Sequence, residues 1–246
     1  MTTAILSALP EEQGGLVAAL QQRRSVAHAG RSFHTGLLQG RPAVLALSGI
    51  GKVAAAITAT LLIERFGARR IVFTGVAGGL GDGVKVGDIV VARSTLQHDM
   101  DASPIFPRWE LPGQGRALLP CDPQLSTLLL EAAGAGVAGA STGFFSDPAV
   151  HAGLIVSGDR FVSTAVECRQ LRASLQAAGH EALAVEMEGA AVAQACHDHD
   201  VACAIVRTIS DRADDSAHVD FSRFLREVAS GYSERIITAL MRSAAL

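Results

Sequence analysis

The chain has 246 residues, a formal charge of −3, 49% hydrophobic residues and only 4% aromatics. That length suits one large domain or two small ones, and the hydrophobic share with a positive mean hydropathy predicts a sizeable buried core. The charge leaves no basic footprint and the aromatics no base-stacking platform, which excludes nucleic acid as a main partner.

Thr3 to Ala8 reads as a first strand and Glu11 to Arg23 as a helix. Ser32 to Leu38 and Pro42 to Ser48 predict a hairpin around Gln39-Gly40-Arg41. A helix follows from Lys52 to Phe66, then short buried strands from Arg70 to Thr74 and Asp88 to Ala92. Between His98 and Cys121, prolines at 104, 107, 112 and 120 predict a long irregular loop, of a length that is usually functional or mobile. Regular structure resumes with a helix from Pro123 to Ala133, strands near Gly139 to Phe144 and Gly153 to Ser157, and a helix from Ala165 to Ala178. The Ala184 to Glu186 strand leads into a helix through His197, followed by a Val201 to Ile209 strand and a C-terminal helix from about Asp220 to Arg242. Alternating strands and helices with short connections predict a single α/β domain over 1–246, three layers (αβα) around a mixed central sheet.

Cys121, Cys168, Cys196 and Cys203 form no CxxC pair, so reduced thiols are expected rather than disulfides or zinc. The N-terminus has no basic region and meets Pro10-Glu11-Glu12 too soon for a signal peptide, and no apolar run reaches membrane-span length. A soluble, cytoplasmic protein without a membrane partner is the expectation.

Some motifs fail on inspection. Ser48-Gly49-Ile50-Gly51-Lys52 invites a phosphate-loop reading, but Ala46 and Val53 stand where a Walker loop needs Gly and Ser or Thr. A tight strand-to-helix turn is the better account. Gly75-Val76-Ala77-Gly78-Gly79-Leu80-Gly81 leads towards another strand, whereas a dinucleotide fingerprint needs a helix there; a backbone turn permitting close approach remains. His197-Asp198-His199-Asp200 cannot converge on one ion from helical spacing, so no metal is assigned.

The informative stretches are Ala184-Val185-Glu186-Met187-Glu188-Gly189 and Ile205-Val206-Arg207-Thr208-Ile209-Ser210-Asp211. Each is an apolar run that delivers carboxylates at its end. A buried carboxylate costs several kcal/mol unless paired or hydrogen-bonded, and strand ends are where open α/β sheets place ligands. Singly, each residue has a structural reading: Glu12 and Glu188 as helix-dipole partners, Asp211 with Ser210 as a cap, Arg207 as an ion-pair partner.

Taken together, seven blocks resemble the nucleoside phosphorylase and nucleosidase superfamily, and within it the 5′-methylthioadenosine/S-adenosylhomocysteine nucleosidases. They are Ala8-Leu9-Pro10-Glu11-Glu12, Ser48 through Ala55, Thr74 through Gly79, Lys85 through Val91, Ser157-Gly158-Asp159, Val185 through Glu188, and Arg207 through Asp211. The resemblance implies a phosphorylase-like fold and N-glycosidic hydrolysis without a cofactor. It implies that Glu12 activates water and that Asp211 protonates or hydrogen-bonds the purine N7. Glu188 would hold the ribose hydroxyls beside Met187, with Arg207 ordering water and carboxylates. Phe161 would stack on the base and the Val162 backbone bond its edge. Val76, Ala77, Gly78, Glu186 and Ser210 complete the expected substrate-binding set. Ile50, Phe221 and the 102–112 loop, partly from a second subunit of a homodimer, would enclose a 5′-alkylthio group.

Phosphorylase members of that superfamily carry an arginine in the first loop and another just before the glycine-rich turn. Here those places hold Ala8-Leu9-Pro10-Glu11-Glu12 and Phe73, and an acidic Glu12 would repel phosphate, which favours hydrolysis. Val76 replaces a serine common in the nucleosidases, and Arg160 sits beside the expected base pocket. A related purine nucleosidase or phosphorylase with another nucleoside (futalosine, for example), and a non-catalytic nucleoside binder, stay open at this stage.

Overall fold

The computed structural model describes residues 1–138, 148–212, 224, 228 and 230–246. In chain order the elements are β1 (Thr2–Ser7), α1 (Pro10–Gln13), β2 (Gln21–His28), β3 (Arg31–Leu38), β4 (Arg41–Leu47), α2 (Lys52–Glu64), β5 (Ala68–Gly79), β6 (Ile89–Gln97), β7 (Leu118–Pro120), α3 (Pro123–Val137), β8 (Val150–Ser157), α4 (Ala165–Ala177), β9 (Ala182–Glu186), α5 (Gly189–Asp198), β10 (Ala202–Asp211) and α6 (Ser230–Arg242).

The central strands are apolar on both faces because both are covered. Successive residues of a strand point to opposite sides. Ala4 and Leu6 of β1 therefore join Phe73 and Ile205 in one cluster with α2 and α5. Ile5, Val72 and Val206 join the other, against α3 and α6. A smaller cluster gathers Trp109, Val156 and Leu175 of α4. The mixed sheet runs β10-β6-β8-β9-β5-β1-β4-β3-β2, with β7 beside β6, and β10 also pairs with β5. The strands β5, β10, β6, β8 and β9 thus close into a ring, and β1, β4, β3 and β2 extend from it as an open arm. The three-layer α/β architecture matches the expectation.

Several local expectations need correction. The predicted Glu11 to Arg23 helix is a single turn, α1, with a 3-10 turn at Gly14–Leu16, and β2 follows. Gly14 adopts φ 53, and a Cβ on Gly14 or Gly15 would lie 2.8 Å from the Ser230 carbonyl or 2.6 Å from Glu234 Oε2. The close approach of α6 thus excludes a continuous helix of larger residues here. The hairpin is accordingly a three-stranded antiparallel β2-β3-β4 unit. Glycines 75 to 79 do not turn: β5 continues through them, and none of Gly75, Gly78 and Gly79 has a positive φ. The Ser48 to Lys52 turn is tight as expected, with Gly49 at φ 78 and Gly51 at φ 98. The 98–121 stretch is irregular apart from β7, but pinned: buried Trp109 donates its Nε1–H to the His98 carbonyl at 2.9 Å. The strand expected at 139–144 and the first part of the C-terminal helix lie outside the described residues. All four cysteines are free thiols, three of them buried.

Strand register assembles the site. β10 lies parallel to β5 with Arg207 level with Gly75 and Asp211 level with Gly78. β9 runs antiparallel on the other side of β5, with Val185 level with Gly78, and β8 brings Ser157 level with Glu186. Residues 77 and 78 therefore run between Glu186 and Asp211. The end of β1 delivers Ala8, Leu9 and Glu12 to the same end of the sheet.

Candidate active site

Glu12 is almost fully buried and is gripped by backbone donors. Its Oε2 accepts from the Ala8 and Leu9 amides, each at 2.8 Å, and its Oε1 from the Val76 amide at 3.0 Å. Burial is the largest influence on its pKa and raises it above the usual 4.5; the Arg207 charge and the three amides oppose that without cancelling it. A buried carboxylate whose proton affinity is raised in this way suits a general base. Gly75 makes the approach possible, since a Cβ there would lie 2.2 Å from Arg207 Nη1 and 2.6 Å from Glu12 Oε1. Both groups converge on one glycine.

Arg207 has no solvent exposure, and its guanidinium lies 4.0 Å over the Phe73 ring. Its Nε donates to Glu186 Oε2 at 3.1 Å, Nη2 donates to the same oxygen, and Nη2 lies 3.8 Å from Glu188 Oε2. Burial disfavours the charge, yet Glu186, Glu12 and Glu188 together raise its pKa further. It stays cationic. Glu186 is saturated by protein donors: besides Arg207, it accepts from the Ser157 hydroxyl and from the Gly189 amide at 2.8 and 2.9 Å. Ser157 Oγ in turn accepts from the Ala190 amide at 2.7 Å.

Glu188 is left with less. Its Oε1 accepts from the Gly51 amide at 2.9 Å, and Arg207 is already committed to Glu186. Burial and then the Glu186 charge push its pKa up to about 8, against the pull of Arg207 and Gly51. The folded protein therefore holds a proton at Glu188 that the unfolded chain releases from about pH 4.5 upward. The associated stability is complete below that value and is lost as pH rises through about 8. Glu188→Gln keeps an acceptor for Gly51 and removes the titration. Its melting temperature should gain on the wild type, by a few degrees, between pH 5 and pH 8.5. A pH-independent difference in calorimetry would contradict this protonation state.

Asp211, also buried, accepts at Oδ2 from the Ser210 hydroxyl at 2.8 Å, and Ser210 Oγ lies 3.3 Å from the Ala77 carbonyl. Glu12, Glu188 and Asp211 border one cavity of about 430 Å³, within the range of small-molecule sites. Ile50, Val76, Ala77, Gly78, Phe161, Val162, Glu186, Met187 and Ser210 also line it, with Arg207 behind its wall. Phe161, on the cavity wall, is 40% exposed. Arg160 borders the cavity but pairs with Glu167. Phe221 lies outside the described residues. A larger depression, about 720 Å³, lies at the opposite ends of the strands around Met1, Arg70 and Ala202, away from all of these carboxylates. Chemistry, not volume, selects the site. Among the described residues no group of three or more His, Cys, Asp or Glu could hold a metal ion.

The phosphorylase superfamily family model matches residues 2–242. The chain belongs to this superfamily. A 5′-methylthioadenosine/S-adenosylhomocysteine nucleosidase from Neisseria meningitidis, in complex with methylthio-immucillin-A, is 36% identical, with 97% of each chain covered and a TM-score of 0.86. The Colwellia psychrerythraea nucleosidase in complex with adenine is 33% identical over 98% of this chain and 94% of its own, TM-score 0.85. That from Helicobacter pylori, an aspartate-to-asparagine mutant with 5′-methylthioadenosine in the active site, is 30% identical over 97% of each, TM-score 0.84. Within the superfamily, then, the chain is a member of the nucleosidase family and an N-glycosyl hydrolase by that membership.

Sequence reasoning gave Gly51 and Gly75 no role in this nucleosidase and read Phe73 only as standing where phosphorylases carry an arginine. Their parts are an amide for Glu188, a ring under Arg207 and a missing side chain that admits both Arg207 and Glu12. The only prior signal was the glycine-rich composition of two turns, which does not say what approaches.

Proposed function

We propose that this protein hydrolyses the N-glycosidic bond of 5′-methylthioadenosine and S-adenosylhomocysteine, releasing adenine and the 5-thio-substituted ribose. The observation that carries the reading is one cavity bordered by Glu12, Glu188 and Asp211, behind which Arg207, the one buried arginine among the described residues, is already bound to carboxylates. Such a site repels phosphate and favours a cationic sugar.

Breaking the C–N bond builds positive charge on the ribose and negative charge on the purine. Glu12 takes a proton from a water aimed at C1′ from the face opposite the base, with Arg207 Nη1, buried and without a protein partner, helping to orient it. Asp211 supplies a proton or hydrogen bond to N7 as the base leaves, positioned by Ser210. Glu188 binds the ribose hydroxyls. Glu186, its oxygens filled, anchors Arg207 from the cavity wall. Phe161 and the Val162 backbone hold the base, with residues 76–78 beneath the sugar and Met187 beside it. Ile50 borders the 5′-group. No cofactor enters these steps.

A second copy of the chain completes the pocket in this reading. Ile50 on the cavity wall, Val53 and Ile57 of α2 and Ile105 in the 102–112 segment are 57%, 71%, 45% and 81% exposed, apolar surface that a homodimer would cover. The chain acts as one domain, in the cytoplasm. Among the described residues no helix is long and apolar enough to cross a membrane.

The test is base release from methylthioadenosine, adenosylhomocysteine, adenosine and inosine. Preferential release of adenine from the two thio-nucleosides is expected. Binding without turnover would replace the enzyme by a nucleoside sensor.

A further inference from the structure

Beside the cavity, and using none of the reacting carboxylates, three side chains close a ring of hydrogen bonds between otherwise separate elements. The Lys52 amide, first in α2, donates to Asp159 Oδ1 at 2.7 Å. The Asp159 amide donates to Asp99 Oδ2 at 2.8 Å, and Lys52 Nζ donates to Asp99 Oδ1 at 2.5 Å. Lys52 Nζ also reaches Gln97 Oε1 at 3.1 Å, and Gln97 Nε2 donates to Gln194 Oε1 of α5 at 2.8 Å. The ring links the start of α2, the end of β6 and the loop after β8.

Its neighbours in sequence give it meaning. Immediately before Lys52 stand Ile50, on the cavity wall, and Gly51, whose amide holds Glu188. Immediately after Asp159 come Arg160, Phe161 and Val162, the base-side wall. One end of the ring thus holds the sugar carboxylate's partner and the other the base-binding loop. The loop has little slack: a Cβ at Gly158 would lie 2.3 Å from His98 Nε2, and the Gly158 amide donates to the Glu186 carbonyl at 3.1 Å. At Asp99 burial favours the neutral form, but the hydrogen bonds from Lys52 and the Asp159 amide outweigh it and keep its pKa below the usual value.

We propose that Lys52, Asp99 and Asp159 are positioning residues, a clamp that fixes the spacing between Glu188 and the Phe161 loop so that base and sugar of one nucleoside are gripped together. This rests on the nucleosidase reading and assigns that site a spacing element outside its contact surface. Each grip can seat its own fragment alone. Only the intact nucleoside demands both at once.

The experiment compares wild type with Lys52→Met, Asp99→Asn and Lys52→Arg. It reads Kd for free adenine, Kd for an uncleavable C-nucleoside analogue of methylthioadenosine, and kcat and KM for methylthioadenosine. In Lys52→Met and Asp99→Asn the analogue should bind about tenfold more weakly and KM should rise similarly, while adenine binding and melting temperature change little. Lys52→Arg, which keeps a cation for Asp99, should recover most of the loss. Unchanged analogue binding, or equal losses for adenine and the analogue, overturns the clamp while leaving the function intact. A wild type that neither binds nor cleaves the nucleoside overturns both.

Discussion

Glu12→Gln should lower kcat for methylthioadenosine by about three orders of magnitude while substrate still binds. An amide cannot take the proton of the attacking water. The substitution also has a structural cost that geometry makes explicit. The carboxylate accepts three backbone N–H groups, two on Oε2 and one on Oε1. Glutamine keeps the two by placing its oxygen towards Ala8 and Leu9. Its NH2 then faces the Val76 amide, donor against donor. One buried amide left unsatisfied costs about 1–3 kcal/mol, read as a fall in melting temperature of several degrees. Rapid-quench kinetics and calorimetry on one preparation separate the two effects. Activity within tenfold of wild type would remove Glu12 from the chemistry, whatever the stability change.

Asp211→Asn should produce a loss of similar size, about 10²- to 10⁴-fold, by a different route. Asparagine can still receive the Ser210 hydroxyl on its oxygen, so the local hydrogen bond at 2.8 Å survives. It cannot deliver a proton to the departing purine. The two variants are distinguished by the leaving group. A riboside that expels 4-nitrophenolate needs no proton at the leaving atom, so Asp211→Asn should recover much of its rate on it. Glu12→Gln should not, because water attack still lacks its base. Equal losses by Asp211→Asn on both substrates would move Asp211 from acid catalysis to a positioning part.

The features legible in the sequence were those that depend on composition along one strand. The strand ending in Glu186 is apolar up to its carboxylate and that ending in Asp211 is apolar from Ala202 to Val206, because both faces are covered, and that signature marked both strands. β2 was illegible because nearly all its side chains are exposed, so no alternation betrays it. The glycines of β5 were misleading for a different reason. Glycine signals either a turn or close packing, and only the register of Arg207 opposite Gly75 shows that packing is its use here. The division of labour between Glu186 and Glu188 was equally hidden. They are two residues apart, yet Ser157, Gly189 and Arg207 saturate one, and the other keeps a single amide and a raised pKa. The Lys52–Asp99–Asp159 ring joins three distant segments, which no local pattern could announce.

These differences bear on how the site tells water from phosphate. Arg207 is the buried cation behind the cavity wall, and Glu186, Glu12 and Glu188 all act on its charge. Arg160, which borders the cavity, is paired with Glu167. An incoming phosphate would meet Glu12, with Arg207 already engaged by Glu186 on its other nitrogens.

The most direct measurement is the identity of the sugar released from methylthioadenosine, followed by NMR with and without a large excess of inorganic phosphate. Free 5-methylthioribose, formed at the same rate in both, is the predicted result. A 1-phosphorylated sugar, or turnover that requires phosphate, would contradict it.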